Sequence, residues 1–122
     1  MLVVTRAGAA AMLTELLGQA LTLRLFASDT EITRAREPEL TEAAGAGYAP
    51  ITLAPDGWIL DSDGYTARHA RQTFSFRGPC GPLYGYYVTD ARGRVRWAER
   101  LPRPFFAEEA DDSVSVTPVF GL

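Results

Sequence analysis

The sequence predicts an all-β domain, mainly an antiparallel β-sandwich or a partly closed barrel, with one short helix near the N-terminus. Short apolar segments alternate with polar residues at the period of two that is typical of strands with one buried face. Turn residues recur roughly every eight to twelve residues, as they do in sandwiches and barrels. An aromatic-rich segment, Leu83 to Leu101, has the pattern of one long β-hairpin.

The hairpin prediction depends on the turn Asp90-Ala91-Arg92-Gly93. The Asp90 carboxylate can cap the turn, and Gly93 can adopt the positive φ that closes a type I turn in a glycine bulge. We therefore expect Asp90 to face Arg94 across the turn.

This turn sets an expected register for the two strands. The cross-strand neighbours would be Thr89 and Val95, Tyr87 and Trp97, and Gly85 and Glu99. One face would then hold Tyr87 and Trp97 as buried neighbours. A slip of one residue would exchange the two faces. The opposite face would carry Tyr86, Val88, Arg96 and Ala98, with Tyr84 near Arg100.

Length and composition indicate one folded domain. The chain has 122 residues, a mass of 13.3 kDa and 47% hydrophobic residues, which suit a single core. We divide it into an N-terminal arm or helix at residues 1–20 and a single β-sandwich domain at residues 21–122. No window has the roughly 18 uninterrupted apolar residues of a membrane span, and Met1 to Val4 is too short for a signal-peptide core. We therefore expect a soluble chain with no membrane partner.

The charged residues narrow the function classes. The formal net charge of −3 argues against a protein whose main task is to neutralise nucleic-acid phosphates, so no nucleic-acid partner is expected. All 12 basic residues are Arg, and several cluster between Arg92 and Arg103. Because there is no Lys, Schiff-base chemistry and a phosphate-binding loop lysine are excluded.

The first element along the chain is a helix from Thr5 to Gly18. Thr5 can cap its start, its three successive alanines favour helix, and Gly18 can end it. An apolar stripe recurs at helical spacing, and it either packs on the domain's own sheet or docks on a partner subunit. This stripe consists of Leu13, Leu16, Leu17 and Ala20.

Several short strands follow the helix. Their turns contain Pro55-Asp56-Gly57 and Asp61-Ser62-Asp63-Gly64. The last strand contains Pro118, which favours a sheet edge or a strand end because proline has no N–H to donate. The predicted strands are Leu21 to Phe26, Ile51 to Leu53, Trp58 to Leu60, Tyr65 to Ala70, Gln72 to Phe76 and Ser113 to Phe120.

Two polar segments are longer than a simple connection needs. Ser28 to Ala49 is an excursion in which a helical turn is expected at Glu39 to Ala44, and Leu101 to Asp112 is expected to be a loop. Connections of this length in compact domains are usually functional or ordered by a partner. We therefore take seven of their residues as candidate partner-binding residues: Arg34, Arg36, Glu37, Glu39, Arg103, Phe105 and Phe106.

No residue pattern predicts catalysis, a metal or a cofactor. The lone Cys80 excludes an intrachain disulfide and is expected to be a small residue in a tight turn, and the lone His69 is expected on a strand surface. Asp61-x-Asp63-Gly64 resembles the start of a calcium loop, but it lacks the third acid before the glycine and the later bidentate Glu, so it is interpreted as a turn. The acidic segment Glu108 to Asp112 is either a solvated loop or an ion site, and the solvated loop is commoner.

From about Leu21 to its end, the chain resembles a group of small virion-associated proteins of tailed bacteriophages. No catalytic residue comes with this resemblance. In such particles a domain of this size most often resembles a capsid decoration, or cement, protein that sits on the outer shell, commonly as a trimer. The segments that carry the resemblance, in the same order, are LTLRLFASDT, Gly47 to Leu53, Gln72 to Phe76, Tyr84 to Asp90, Trp97 to Arg100 and Val116 to Pro118.

The resemblance implies a virion structural protein that is assembled in the host cytoplasm and binds the major capsid protein or other virion proteins. Exposed aromatic, Arg and Pro residues suit such contacts, because they supply area at low entropy cost and planar charge pairing. The alternative is a carbohydrate-binding or tail-associated receptor-binding β-sandwich, and an enzyme is a distant third. In that alternative the stacking platforms would be Tyr84, Tyr86, Trp97 and Trp58.

Overall fold

The structure is a computed structural model that describes residues 1–35, 37–109 and 111–122. These residues form one α-helix and nine strands, and all strand pairings are antiparallel. The predicted all-β fold with a short N-terminal helix is confirmed. The elements are α1 (Arg6–Leu17), β1 (Leu21–Phe26), β2 (Ile51–Leu53), a 3-10 turn (Pro55–Gly57), β3 (Trp58–Leu60), β4 (Thr66–His69), β5 (Gln72–Ser75), β6 (Cys80–Thr89), β7 (Val95–Ala107), β8 (Ser113–Val116) and β9 (Val119–Gly121).

The strands form three sheets around one core. A four-stranded sheet has the order β2-β1-β6-β7, a three-stranded sheet has the order β3-β4-β9, and β5 pairs with β8. The inner face of the four-stranded sheet is apolar because alternate residues of β1 point to it. The two smaller sheets cover that face, which gives the layers of a β-sandwich. The buried core includes Leu21, Leu23, Leu25 and Val88 from the large sheet, and Ala67, Phe74 and Val116 from the other two.

The helix α1 belongs to the same core. Its start is capped by the Thr5 hydroxyl, which accepts a hydrogen bond from the Gly8 N–H at 3.1 Å. It ends at Gly18, as the sequence indicates. Leu13 and Leu17 are buried among residues of the sheets, and Leu16 packs against them. The apolar stripe therefore packs on the domain's own sheets, which is the first of the two alternatives above.

The β6–β7 hairpin has the predicted turn but not the predicted register. Asp90 and Arg94 close the turn, and Gly93 has a φ of 80°. Thr89 pairs with Val95 as expected, but Trp97 then pairs with Val88 and not with Tyr87. The cause is a β-bulge: between these two pairs, β7 has one more residue than β6.

The bulge moves the side chains of the hairpin to other faces than expected. Trp97 shares the inner face with Val88 and packs against the core, whereas Tyr87 lies on the outer face opposite Ala98. The expectation that Tyr87 and Trp97 are neighbours on one buried face is therefore wrong. The Arg100 guanidinium lies 5.6 Å from the centre of the Tyr84 ring, as the sequence indicated.

Strand β7 is longer than expected. The predicted loop from Leu101 to Asp112 is wrong for its first half, because the strand continues to Ala107. Phe105 pairs with Leu83, and Ala107 pairs with Cys80. β7 tolerates two prolines because it is the edge of its sheet, where one side of the backbone needs no partner strand.

The C-terminal strand is divided in two at Pro118. β8 pairs with β5, and β9 pairs with β4 in another sheet. Pro118 is buried between them, and its carbonyl accepts a hydrogen bond from the His69 N–H at 2.9 Å. Proline therefore marks a strand end here, one of the two positions expected for it.

The outer face of the four-stranded sheet carries a second buried contact. Phe26 is fully buried although it points away from the main core, and its ring lies over Gly85 on β6. A Cβ atom at Gly85 would lie 2.6 Å from this ring and even closer to the Glu99 carbonyl oxygen. Glycine is thus required at residue 85 by the close approach of an aromatic side chain and a neighbouring strand.

We expect Gly85→Ala to lower the free energy of unfolding by about 1–3 kcal/mol, because the added methyl group must displace backbone and a buried ring. Gly81→Ala is the matched control on the same strand, since a Cβ there meets no atom within 4 Å. Urea unfolding followed by tryptophan fluorescence measures both. Equal stability of the two variants would contradict this account of Gly85.

Candidate interaction surfaces

The excursion between β1 and β2 is attached to the sheet at its C-terminal half. The Ala27 N–H donates to the Thr41 carbonyl at 2.8 Å, and the Ala43 N–H donates to the Leu25 carbonyl at 2.9 Å. Phe26 and Glu42 form an antiparallel bridge. Residues 41–43 therefore extend the sheet beside the end of β1, and the helical turn expected at Glu39 to Ala44 is wrong.

A polar network holds this attachment on the outer face of the sheet. The Arg24 Nη1 donates to both oxygens of Glu42 at 3.0 Å, and its Nε donates to the Thr89 hydroxyl at 3.0 Å. The Tyr48 hydroxyl donates to Glu42 Oε2 at 2.7 Å and accepts from the Leu25 N–H at 3.2 Å. Burial, and then the hydrogen bond to Glu42, raise the pKa of Tyr48 well above its usual value. Tyr48 is therefore a neutral donor at physiological pH.

The N-terminal half of the excursion crosses β7. Arg100 on β7 pairs with Asp29 at 2.7 Å and donates to the Thr30 carbonyl at 2.9 Å. Further along, the Glu37 carboxylate accepts a hydrogen bond from the Val95 N–H at 2.9 Å. This carboxylate occupies the position of an acceptor that an added strand would supply at the sheet edge.

A groove of about 890 Å³ opens between the excursion and two edge strands. β7 is the edge of the four-stranded sheet, and β9 is the edge of the three-stranded sheet. The third wall is formed by residues 32–34 and 37–38 of the excursion. Trp97 and Phe120 line it, with ring centres 4.5 Å apart. The charged residues along the groove are Arg34, Glu37, Arg94, Arg96 and Glu99.

The two carboxylates of the groove are occupied by contacts within the chain, and so is one guanidinium. Glu37 caps the Val95 N–H, and Glu99 accepts from the Tyr86 hydroxyl at 2.6 Å. Arg96 pairs with Asp90 at 2.9 Å. Within the described residues, neither Arg34 nor Arg94 has an ion pair. The groove therefore presents guanidinium donors that a negatively charged partner can bind.

The hairpin turn adds a further basic residue beside the groove. Arg92, Arg94 and Arg96 line a smaller depression around Asp90. The Asp90 carboxylate accepts from the backbone N–H groups of Arg94 and Arg92 at 3.0 Å and 2.9 Å, and it pairs with Arg96. These contacts, first of all the Arg94 N–H, hold the pKa of Asp90 below its usual value. This end of the hairpin is thus basic in a chain of net charge −3.

The opposite end of β7 has a different character. Arg103 and Phe106 are exposed, with Phe106 at 55%, whereas Phe105 packs inward with its ring centre 6.3 Å from that of Phe76. An acidic turn follows, in which Asp112 Oδ2 accepts from the N–H groups of Glu108 and Glu109 at 2.8 Å and 3.0 Å. These two N–H groups, that of Glu109 first, lower the pKa of Asp112.

The candidate partner-binding residues therefore form two groups. Arg34, Glu37 and Glu39 lie on the excursion near the start of β7, and Arg36 lies outside the described residues. Arg103, Phe105 and Phe106 lie near the end of β7. Val95 lies opposite Thr89 and Phe105 lies opposite Leu83, six residues apart on β6. At about 3.3 Å per residue, the two groups are therefore roughly 20 Å apart along the sheet edge. They are two surfaces and not one site.

The sequence missed several residues of the groove. The Arg cluster between Arg92 and Arg103 was a usable signal for Arg94 and Arg96. The sequence pattern identifies Trp97 as an aromatic residue of the hairpin, but it does not indicate that Trp97 lines a groove. No local pattern indicates Val119 to Gly121, because β9 reaches the groove only through the packing of two sheets.

His69 is buried, so the expectation of a surface histidine is wrong. Its Nε2 lies 2.9 Å from the Ala54 carbonyl, and its Nδ1 lies 3.2 Å from the Ala70 carbonyl. Its ring meets the edge of Trp58 at 4.9 Å between ring centres. A Cβ atom at Gly57 would overlap the imidazole, so the turn before β3 packs directly on this ring. His69 therefore links the turn, β3 and β4.

The four aromatic residues that a carbohydrate-binding module would use for stacking are mostly covered by other side chains. Tyr86 is 4% exposed. Trp58 packs between His69 and Trp97, and Trp97 packs on Phe120. Tyr84 is half-buried beneath Arg100. A sugar ring needs an open aromatic face for stacking, and these contacts occupy the faces or the edges of the four rings.

The acidic segments form turns. Asp63 Oδ1 accepts from the N–H groups of Tyr65 and Thr66 at 2.8 Å and 3.2 Å, so Asp61 to Gly64 is stabilised without an ion. Among residues 1–35, 37–109 and 111–122, no group of three or more His, Cys, Asp or Glu is placed to hold a metal ion. No helix in these ranges is long and apolar enough to cross a membrane.

Comparisons with protein-family models, with curated proteins and with solved structures each find no match for this chain. The resemblance to virion-associated proteins stays a prediction from the sequence.

We expect Tyr48→Phe to lower the free energy of unfolding by about 1–3 kcal/mol, because it leaves the Leu25 N–H without its acceptor. Amide exchange at Leu25 and Ala43 should also become faster, since the excursion is less firmly attached. Tyr84→Phe is the control, because among the described residues the Tyr84 hydroxyl makes no hydrogen bond. Slower or unchanged exchange in Tyr48→Phe would show that the network does not attach the excursion.

A second prediction concerns the Asp90 turn in acid. The folded-state pKa of Asp90 is lowered, so its ionised form stabilises the fold above the unfolded-state pKa of about 4. This stability is lost as the pH falls through the lower folded-state value. Between pH 5 and pH 2, the free energy of unfolding, measured with urea, should therefore depend less on pH in Asp90→Asn than in the wild type. If the free energy of unfolding of Asp90→Asn depended on pH as steeply as that of the exposed-site control Asp56→Asn, this role of Asp90 would be refuted.

Proposed function

We propose that this chain is a structural protein of a tailed-phage virion, a decoration or cement protein that binds the outer shell as a homo-oligomer, a trimer by preference. Its partners are the major capsid protein or other virion proteins. The resemblance of the segments from Leu21 onward to small virion-associated proteins is the starting point of this proposal.

The observation that carries the proposal is the placement of two contact surfaces on one rigid support. The first surface is the excursion with its groove at the start of β7, and the second is Arg103 with Phe106 near the strand's end. β7 pairs with β6 near both of its ends, from Val95 to Arg100 and again at Phe105 and Ala107, so both surfaces are attached to one sheet. A protein that connects neighbouring subunits of a lattice needs this geometry, because both contacts must be met at once.

Two contacts on one body also make weak contacts sufficient. Once one surface is bound, the other is held near its target, and the effective concentration of the second contact becomes high. Even a millimolar contact at each surface, about 4 kcal/mol, then gives strong attachment when several copies act together. The exposed Phe106 supplies apolar area, and the Arg residues supply planar charge pairing.

The copy number in purified virions is the first test. We expect the chain in the particles at a ratio to the coat protein near that of a shell component, as quantified by gel densitometry and mass spectrometry. A copy number of tens or fewer would place it in the tail, and specific glycan binding would then support the receptor-binding alternative. Absence from the particles would refute the proposal.

Point variants test the two surfaces. We expect Phe106→Ser and Arg34→Ala each to weaken binding to undecorated particles by about tenfold or more, since contact residues in interfaces commonly contribute at this level. Ile59→Ser is the matched control, because Ile59 is an exposed apolar residue on the three-stranded sheet, away from both surfaces. Deleting residues 34–44 is unsuitable, because Glu42 and Ala43 bond to β1. Unchanged occupancy of both variants, with thermal stability preserved, would exclude these surfaces as attachment sites.

A further inference from the structure

Two oppositely charged features lie at the two ends of β7. The basic feature is the hairpin turn at the edge of the groove, with the exposed residues Arg92 and Arg94. The acidic feature is the turn that follows β7, with the exposed carboxylates of Glu108, Glu109 and Asp111. Their charges are complementary, and neither set forms an ion pair within the described part of the chain.

Hydrogen bonds hold the residues on both sides of the acidic turn, Glu108 and Glu109 on one side and Asp111 and Asp112 on the other. Asp112 turns its carboxylate inward to the N–H groups of Glu108 and Glu109, which leaves the side chains of those two residues free to face outward. The turn is also joined to the β5 end of the domain, because the Asp111 N–H donates to the Phe76 carbonyl and the Phe76 N–H donates to the Asp112 carbonyl, both at 2.9 Å. Little conformational entropy is then lost when a partner binds this turn.

The two features of one molecule cannot meet. They lie at opposite ends of β7, where Val95 is opposite Thr89 and Ala107 is opposite Cys80. At about 3.3 Å per residue, the stretch of β6 between these partners separates the two features by roughly 30 Å. A glutamate side chain spans only a small part of that distance. Any pairing between them therefore joins two molecules.

We propose that the acidic turn of one copy binds the basic hairpin turn of a second copy, so that the chain assembles head to tail. The contact is heterologous, and a heterologous contact either closes into a ring or continues as a filament. A ring agrees with the trimer proposed above. This inference rests on the proposed oligomer, and it does not rest on binding to a virion lattice.

The hairpin turn has the charge that this contact requires. Its own carboxylate, Asp90, is buried and pairs with Arg96 at 2.9 Å. Arg92 and Arg94 are exposed and form no ion pair within the described residues, so their guanidinium groups can bind an acidic partner. Exposed ion pairs are weak and are screened by salt, so the association should depend on protein concentration and should weaken at 1 M NaCl.

Sedimentation velocity with charge-reversed variants tests the contact. We expect the wild type to associate, and we expect Arg92→Glu with Arg94→Glu to weaken association by about tenfold or more, because like charges then face each other. Glu108→Arg with Glu109→Arg should do the same from the other side. A chain that carries all four substitutions should associate again, since the charges are complementary once more. Rescue of this kind separates a direct contact from loss of folding.

A matched control carries Arg71→Glu and Arg77→Glu, which reverse two exposed arginines outside the groove. It should associate like the wild type, and circular dichroism should show all variants folded. A wild type that stays monomeric at hundreds of micromolar, or reversed pairs that associate unchanged, would overturn the inference. So would a monomer whose hairpin turn binds an oligoglutamate peptide or single-stranded DNA through Arg92 and Arg94, because a foreign anion would then be the occupant.

The particle-binding assay separates this inference from the proposed function. A monomeric wild type that still decorates particles would overturn head-to-tail assembly alone. A head-to-tail oligomer that is absent from virions would overturn the proposed function alone.

Discussion

The register of the β6–β7 hairpin is the constraint on which the rest of the structure depends. Asp90 closes the turn by accepting two backbone N–H groups and pairing with Arg96, and this fixes Thr89 opposite Val95. The bulge that follows then decides which side chains enter the core. Because the side-chain period of a strand is two, one added residue exchanges the faces of everything beyond it. Trp97 reaches the core, and the groove acquires its aromatic wall, for this reason.

The excursion covers aromatic residues on the outer face of the four-stranded sheet. Phe26 and Tyr87 are large aromatic residues on its outer face, with ring centres 6.2 Å apart, and both are buried. The segment that covers this face is polar, so it is not held by apolar contacts as an ordinary second layer would be. It is held by the Arg24–Glu42 ion pair, the Tyr48 hydroxyl and a short antiparallel bridge. Buried polar networks stabilise only when every group has a partner, and Glu42, Arg24 and Tyr48 satisfy one another.

The functional features follow from the same architecture. A long edge strand needs protection from unwanted pairing, and β7 receives it from Pro102, Pro104 and the Glu37 carboxylate. Protection by residues at separate points leaves a groove at one end and exposed aromatic area at the other. These surfaces suit contacts with other proteins, because charged and aromatic residues on a rigid support lose little entropy on binding.

The sequence by itself determined the local elements of this protein. The helix from its Thr5 cap to Gly18, the strands β1, β2 and β3 with their bounds, and the Asp90 to Gly93 turn all follow from spacing, caps and turn residues. Each of these depends on residues that are close in the chain. The self-packing of the helix and the position of Pro118 at a strand end agree with alternatives stated from the pattern.

Only the tertiary structure decided what depends on distant residues. The bulge in β7, the extension of β7 to Ala107 and the burial of His69 each result from partners far away in the chain: Val88, Cys80 and Ala54. The groove is made of three segments that no spacing rule connects. The seven candidate contact residues are recognisable in the sequence as charged or aromatic residues in long connections, but their division between the two ends of β7 is not. Pairing and packing across sheets carry no local signature, because the free energy of such contacts belongs to both partners together.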